Sequence, residues 1–425
     1  MNTIKNNQDY QITVGLDIGS SNITCAIGKV IPNKKQIKLL GISSICSIGI
    51  NKGIITNRDK LIEALDSVMS DAERMASIKV TNSTLSITGE HIKSLNTQAA
   101  IPLNRINGVS GKIHERPIDN NDVFQVLDLA QAVSLPVDRD ILHTLPQEYL
   151  VDTLDEIKNP IGMTGRRLEG RVHLVTAANT AMLNLINCVE ELGITVDGLV
   201  FQPLAAALST LQEDEKELGV TIVEIGSSTT DIAVFHSGAV RHSAIIPIGS
   251  SSITNDIAVM LQISIKEAEK IKRKYASAES KMSSSKLEIS LESTEGQIKR
   301  SISEKEVSKY VEARMQEIFQ LVSREISRTD IKNPLTYGIV VTGGGAELRN
   351  IVSLAENSIG VKVRKGKPIK IQGIEDIADK TRYSTIMGLL LWPLYTNDHI
   401  RTQKPKNRNL KIIYEKIRHT IEQLF

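Results

Sequence analysis

The sequence predicts an α/β fold of two similar domains that face each other, and three stretches carry that prediction. The first is Val14–Ile27, V-G-L-D-I-G-S-S-N-I-T-C-A-I. A strand ends at Asp17, a Gly-Ser-Ser turn follows, and a second strand runs Ile23–Ile27. The second is Thr221–Phe235, T-I-V-E-I-G-S-S-T-T-D-I-A-V-F, which repeats the layout. Its runs Thr221–Ile225 and Asp231–Phe235 are short, apolar and rich in β-branched residues, with Gly226-Ser227-Ser228-Thr229 as the turn between them. The third is Gly338–Glu347, a strand running into Gly343, Gly344 and Gly345 before a helical pattern. The recurrence of D-I-G-S-S-N as E-I-G-S-S-T marks an internal duplication.

A hairpin tip of small residues exposes backbone N–H groups and hydroxyls, which can wrap a phosphate. Gly19, Ser20, Ser21 and Asn22 supply them in the first hairpin; Gly226, Ser227, Ser228 and Thr229 do so in the second. One such turn alone means little, since most Gly-Ser turns bind nothing. Two facing turns can hold the two ends of a polyphosphate. The strand-end carboxylates Asp17 and Glu224 can each reach a hydrated Mg²⁺. Three consecutive glycines let backbone approach a flat ligand closely.

In this order the motifs resemble the phosphate-1, phosphate-2 and adenosine motifs of the bilobed ATPase superfamily of actin, heat-shock chaperones and sugar kinases. The resemblance implies an actin-like fold of duplicated ribonuclease H-like domains, with ATP and Mg²⁺ as ligands. In that superfamily the crossing into the second lobe carries a polar residue that can position water near the γ-phosphate, and Gln202 occupies the place. The alternative for Gln202 is a helix-start residue before Pro203.

Composition narrows the classes. At 425 residues the chain is too long for one compact core, so two lobes with inserts are expected. The hydrophobic share of 41% and charged share of 24% are ordinary for a soluble globular protein. A net charge of +2 implies no bulk attraction to nucleic acid. Cys25, Cys46 and Cys188 show neither zinc spacing nor a disulfide framework, which fits a reducing compartment. Met1–Gln11 is polar, without the apolar region of a signal peptide, and no run approaches the ~18 apolar residues of a membrane span.

Between the hairpins, Leu61, Ile62, Leu65, Val68 and Met69 fall at helical spacing, which predicts an amphipathic helix within Arg58–Ile78. Thr84–Ile92 reads as a strand containing Gly89. Asn96–Gly170 reads as short strands and loops around one helix, Asp122–Ala132, with Pro146 and Pro160 as turn formers. His91, His143 and His173 are isolated and read as structural histidines rather than ligands. Arg171–Ala178 is a strand, and Thr180–Leu192 a helix closed by Gly193. Ser303-x-x-Glu306 is a capping box opening a helix with Val307, Val311, Met315, Ile318, Val322 and Ile326 inward.

Gly89-Glu90-His91-Ile92, Pro146-Gln147-Glu148-Tyr149, and Asn159-Pro160 with Gly162 and Gly165 resemble the bacterial cell-division FtsA family, over about Gln11 to Trp392. The resemblance implies a subdomain 1C inserted where actin has no equivalent. It implies the division 10–92 (1A), 93–167 (1C), 168–198 (1A), 199–250 (2A), 251–333 (2B), 334–380 (2A) and 381–395 (1A), then a linker 396–408 and a helix 409–425. It also implies adenosine contacts from Glu267 and Lys270, whose alternative is a solvated charged helix face. Arg300 and Arg314 on 2B would hold the tail of the tubulin-like protein FtsZ. Other implied partners are further copies of the chain, head to tail, and division proteins met through 1C.

Asn409–Phe425 places Leu410, Ile413, Tyr414, Ile417, Ile421, Leu424 and Phe425 within one stripe of a helix, flanked by Lys411, Lys416 and Arg418; only Ile412 breaks the pattern. A basic linker precedes it, and basic flanks beside an apolar stripe favour a lipid surface over docking on the protein itself. The FtsA family ends in such a helix, and the pilus-assembly relative PilM usually lacks it. The function this implies is an ATP-binding protein that polymerises on the cytoplasmic face of the inner membrane and tethers FtsZ filaments there. A small-molecule kinase would need a catalytic Asp in an acceptor cleft and has no use for a membrane helix. One departure stands out: the commoner second motif has Asp at Glu224 and glycines at Ser227 and Ser228. Serine in those places makes positive φ costly, which puts efficient hydrolysis in doubt.

Overall fold

The computed structural model describes residues 11–31, 36–103, 105–106, 113–114, 116–291, 300–329, 335–373 and 380–396. Two sheets form two lobes. In the first, strands lie in the order Thr195–Phe201, Asn82–Ile87, Ile12–Ile18, Asn22–Ile31, Gln36–Cys46, Ile371–Gln372. In the second the order is Val363–Lys365, Ile339–Thr342, Val220–Ile225, Thr230–His236, Ala239–Ile246. Each sheet pairs its hairpin antiparallel and sets a parallel strand on the hairpin's other side. The duplication visible in two short motifs therefore extends to the topology of whole sheets.

The helix Arg58–Ala76 opens on Asn57, whose side chain accepts from Lys60 N at 3.1 Å, and buries Leu61, Leu65, Val68 and Met69 as their spacing requires. The long helix Glu304–Ile326 starts on Ser303, which accepts from Glu306 N, and buries Val307, Val311, Met315, Ile318 and Val322. The strand reading of Thr84–Ile92 needs correction. The strand is Asn82–Ile87, and the chain then turns, with Gly89 at φ +140°.

The two lobes are joined by Gln202–Thr210, buried along its whole length, and by the returning helix Ser384–Thr396. These helices touch backbone to backbone. A Cβ on Gly388 would overlap the Ala205 carbonyl, and Ser209 Oγ donates to Ser384 O at 2.7 Å. Tyr395, where composition shifts toward a linker, is buried in this helix, which runs through Pro393. One apolar core spans the crossing, with Leu204 and Leu208 from one helix, Leu389 and Leu390 from the other, and Ile222 and Phe235 from the second lobe.

The insert also corrects the expectation. It is a four-stranded antiparallel sheet in the order Leu154–Ile157, Arg139–Val151, Arg167–Ala178, Lys93–Pro102, with Asn120–Gln131 packed on it. Its principal strands are long rather than short. Pro146 misled the reading: it lies inside the strand Arg139–Val151, at a register shift between Pro146 and Glu148, where its missing N–H breaks no regular ladder. The strands Arg139–Val151 and Arg167–Ala178 serve two cores. Tyr149, Val151, Leu168 and Val172 belong to the insert's core, Leu142, Leu145, Val175 and Ala177 to that of the first lobe.

The histidine reading fits His143 and His173. His143 Nε2 accepts from Phe201 N at 3.0 Å. His173 reaches Asn96 Oδ1 at 2.6 Å and Ser243 Oγ at 2.8 Å, tying the insert to the second lobe's edge strand. Burial pushes both imidazoles down to about 3, so they are neutral. The predicted helix 409–425 lies outside the described residues, as does the linker 396–408 except for Thr396, which ends the helix Ser384–Thr396. Among the described residues no helix is long and apolar enough to cross a membrane.

In an exposed helix Gly→Ala stabilises by about 1 kcal/mol. At Gly388 the added methyl meets backbone, which cannot repack, so Gly388→Ala should reverse that sign and cost about 3 kcal/mol or more. Urea denaturation of the purified variant measures it; a midpoint at or above the parent's would show that the helices do not cross there.

Candidate functional site

The two hairpin tips close alike. Gly19 N donates to Asn22 O at 3.0 Å, and Gly226 N to Thr229 O at 2.9 Å, leaving Ser20-Ser21 and Ser227-Ser228 at the apices. None of these four serines has positive φ, so the penalty expected at Ser227 and Ser228 does not arise. Glycine is needed at the tip bases instead. A Cβ on Gly19 would lie 2.9 Å from Asn22 O, and one on Gly226 would lie 3.1 Å from Thr229 O. The helix Ser250–Leu261 begins against the second tip, with Ser250 N donating to Gly226 O at 2.9 Å and Ser251 N to Ser227 O at 2.8 Å. Its N-terminal dipole end thus lies beside the apex.

Three carboxylates from the two lobes converge below the tips. Asp17 accepts at Oδ1 from Ser86 Oγ (2.6 Å) and from Gln202 Nε2 (3.0 Å). Asp231 accepts at Oδ1 from Thr88 Oγ1 of the opposite lobe (2.6 Å) and at Oδ2 from Thr229 Oγ1 (3.1 Å). Glu224 accepts from Thr385 Oγ1, while its Oε2 is buried without a partner. Burial raises the pKa of all three. Asp231 rises to about 7, and Glu224 well above its ordinary value, with Asp231 and Asp17 adding repulsion.

The glycine loop is held by the returning chain. Thr342 Oγ1 meets Ser384 Oγ at 2.7 Å, and Thr381 Oγ1 donates to Gly343 O at 2.9 Å. The three glycines differ in role. Gly343 has φ +83°, and a Cβ there would lie 2.6 Å from Ile225 O. Gly345 packs on the Ile225 side chain. Only Gly344 has nothing within 4 Å of its Cβ position, so it borders open space. The helix Ile265–Tyr275, which carries Glu267 and Lys270, is moored beyond this loop, its Tyr275 carbonyl accepting from Arg349.

The structure thus gathers Asp17, Gln202 and Glu224 in one cluster, with both hairpin tips above it. Arg300 and Arg314 lie apart from it, and both guanidiniums are engaged within the chain. Arg314 pairs with Asp256 through two bonds of 2.7 and 2.9 Å, and Arg300 Nη2 donates to Leu261 O at 2.9 Å. Sequence reasoning missed Ser86, Thr88, Asp231 and Thr385. Asp231 carried a readable signal, because it pairs directly across the hairpin from Glu224. Like charges so placed destabilise a sheet unless something positive joins them.

That arrangement suits a hydrated divalent cation. Among the described residues no three acidic, histidine or cysteine side chains are placed to ligate a metal directly. Three carboxylates, those of Glu224 and Asp231 buried, with one orphaned oxygen, Glu224 Oε2, instead offer acceptors for the waters around one. Without such a cation, Asp231→Asn should stabilise the protein. It removes one of three clustered charges and keeps an oxygen for Thr88, a gain of at least about 1.4 kcal/mol for more than one unit of relieved pKa shift. Thermal denaturation at pH 8 in chelator tests it; a lower melting temperature than the parent's would contradict the electrostatic reading.

Comparison with known proteins bears on the family and the fold. A family profile described as "Cell division protein FtsA" matches residues 221–388, and one described as "SHS2 domain inserted in FTSA" matches 89–176. The chain is 38% identical to the cell division protein FtsA of Pseudomonas aeruginosa over 91% of this chain and 90% of that one. It is 33% identical to FtsA of Escherichia coli K12 over 90% of each. Among solved structures it is similar to the PilM–PilN type IV pilus biogenesis complex (TM-score 0.64, 14% identity, 89% of this chain and 97% of that one). It is also similar to MreB5 of Spiroplasma citri bound to ADP (TM-score 0.52, 17% identity, 89% and 94%). At those identities the structural likeness speaks for an actin-like fold alone. With identity above 30% along nine-tenths of its length, and the insert matched separately, the chain belongs to the FtsA family of cell division proteins.

Proposed function

We propose that the chain binds ATP with Mg²⁺ between its lobes, assembles head to tail, and tethers FtsZ filaments to the cytoplasmic face of the inner membrane during septum formation. The observation that carries the nucleotide reading is the carboxylate cluster beneath two alike hairpin tips, with Gly344 opening to space beside it. In this reading the apex N–H groups and hydroxyls of Ser20, Ser21, Ser227 and Ser228 take the phosphates. Asp17, Glu224 and Asp231 hold the waters around the cation, and Gly344 faces the purine. A bound cation would neutralise phosphate charge and polarise the terminal phosphorus. Gln202 spends its amide N–H on Asp17, which leaves its amide oxygen as the end that can accept from a water. With a single amide to orient the water, we expect slow turnover at most.

The membrane reading rests on the stripe of residues 409–425 and on family membership. At about 1.5 Å per residue that helix spans roughly 26 Å, and its charged flank favours lying in the interface. Interfacial burial is partial, and ordering the helix costs about 1 kcal/mol or more per residue, so a single copy should bind reversibly. A polymer presenting many copies would bind firmly through avidity. The 2B face remains our proposed site for the FtsZ tail. Because Arg314 already pairs with Asp256 and Glu317, a tail carboxylate there would have to compete with both. A pilus-assembly role has the likeness to PilM in its favour, but the chain's division relatives are far closer in sequence.

Gly344→Phe should abolish ATP binding in calorimetry while leaving the fold intact, since the ring would fill the open space the purine needs. Unchanged affinity would remove the purine assignment. For the membrane, Ile417→Glu at the centre of the stripe should move the protein to the supernatant of liposome co-sedimentation with ATP binding unaltered. Pelleting unaffected even by deletion of 409–425 would refute the anchor.

A further inference from the structure

The duplication gives the two hairpins unequal carboxylates. Asp17 and Glu224 hold corresponding places, in D-I-G-S-S and E-I-G-S-S, but Glu224 is longer by one methylene and has one more torsion to fix. Asp17 is fixed at Oδ1 by two donors, Ser86 Oγ at 2.6 Å and Gln202 Nε2 at 3.0 Å. Among the described residues the carboxylate of Glu224 has a single donor, Thr385 Oγ1, which meets Oε1 and leaves Oε2 buried and unpartnered. Thr385 is the second residue of the helix Ser384–Thr396, which runs into the core of the first lobe, while Glu224 lies near the end of a strand of the second. Its neighbour sets its place. Ser384 Oγ meets Thr342 Oγ1 at 2.7 Å and Gly366 O at 3.2 Å, both in the second lobe. Thr342 and Glu224 are partners across two parallel strands, so two consecutive helix residues clip one cross-strand pair. A helical threonine can spend its hydroxyl on the carbonyl four residues back. Here that carbonyl is Thr381 O, which already accepts from Gly343 N at 3.3 Å and lies 3.1 Å from Thr342 Oγ1, and Thr385 turns to Glu224 instead. All four clip residues are buried, which keeps water from replacing a lost partner.

We propose that Thr385 is a positioning residue for the divalent cation that accompanies the nucleotide. By holding Oε1 it commits Oε2 to the waters around the cation, and it lets a glutamate do on the second hairpin what an aspartate does on the first. This role rests on the nucleotide reading of the cleft. Thr385 touches neither nucleotide nor cation; it acts through Glu224. The physical gain is preorganisation, because a carboxylate already held at one oxygen loses less torsional freedom when the other is engaged. Valine keeps the branched shape of threonine without the hydroxyl. Thr385→Val therefore removes the hold and leaves both carboxylate oxygens of Glu224 without a donor from the protein.

Calorimetry on the full chain tests it, with ATP titrated in excess Mg²⁺ and again in chelator. The parent should bind ATP more tightly with Mg²⁺. Thr385→Val should lose at least about tenfold of that affinity in Mg²⁺ and little in chelator. Thr385→Ser, which keeps the hydroxyl, should behave as the parent, and Thr385→Ala serves if the valine variant does not fold. In Glu224→Asp the carboxylate is drawn back by one methylene from Thr385, so adding Thr385→Val should cost little more. The double-mutant cycle measures that coupling. Equal losses with and without Mg²⁺ would mark Thr385 as merely structural and overturn the proposal. So would an unchanged affinity in Thr385→Val, a serine variant as weak as the valine one, or the full loss repeated in the Glu224→Asp background. A parent whose ATP affinity ignores Mg²⁺ would overturn the cation reading of the cleft and the proposal with it. That result is seen in the parent alone, which tells the two failures apart.

Discussion

The backbone contact between Ala205 and Gly388 is the constraint on which the rest of the molecule depends. Helices usually keep their axes apart by the thickness of two layers of side chains. Here glycine removes one layer, so Gln202–Thr210 and Ser384–Thr396 meet closely enough to carry a single core from one lobe into the other. Both helices also begin at the cleft. Gln202, the first residue of one, reaches Asp17, while Thr385 near the start of the other reaches Glu224. Loosening the crossing would therefore move the two sides of the carboxylate cluster relative to each other.

That cluster is electrostatically costly by itself. Burial raises the pKa of all three acids, repulsion adds to the rise at Glu224 and Asp231, and hydroxyls of Ser86, Thr88, Thr229 and Thr385 compensate only in part. A fold optimised for stability alone would have neutralised them. In the proposed reading, the surplus acceptor capacity is where binding free energy is recovered from a cation and the phosphates it accompanies. The Thr88–Asp231 bond adds a direct link between lobes, so closure and electrostatics are coupled in one cluster.

The insert is joined to the first lobe by continuous strands rather than by a hinge. Because Arg139–Val151 and Arg167–Ala178 each contribute to two cores, the insert cannot swing without bending a sheet. On its other side Gln147 donates to Val240 O at 2.8 Å, and Ser94 to Ser243 O at 2.6 Å, which covers the edge strand Ala239–Ile246 of the second lobe. An otherwise open sheet edge is thereby protected from pairing with other chains.

The sequence by itself determined the duplicated α/β architecture, both hairpins, the glycine loop and the amphipathic helices. Each of these follows from local signals: β-branched runs ending in Gly-Ser, helical spacing of apolar residues, and a serine cap. It also marked Asp17 and Glu224, because they stand at strand ends, while Gln202 came from the superfamily resemblance at the lobe crossing. The long strands of the insert were not legible, since Pro146 is a turn signal unless a partner strand supplies the bulge that tolerates it. Ser86, Thr88 and Thr385 were not legible as site residues, since no local pattern says that residues so far apart in the chain share one cleft, whereas Asp231 could have been read from its place across the hairpin from Glu224. Nor did the sequence reveal that the four apical serines avoid positive φ, which the hydrogen-bonded register of the two hairpins decides. Tertiary structure alone settled these points, because each depends on which strands pair and on how closely two helices can cross.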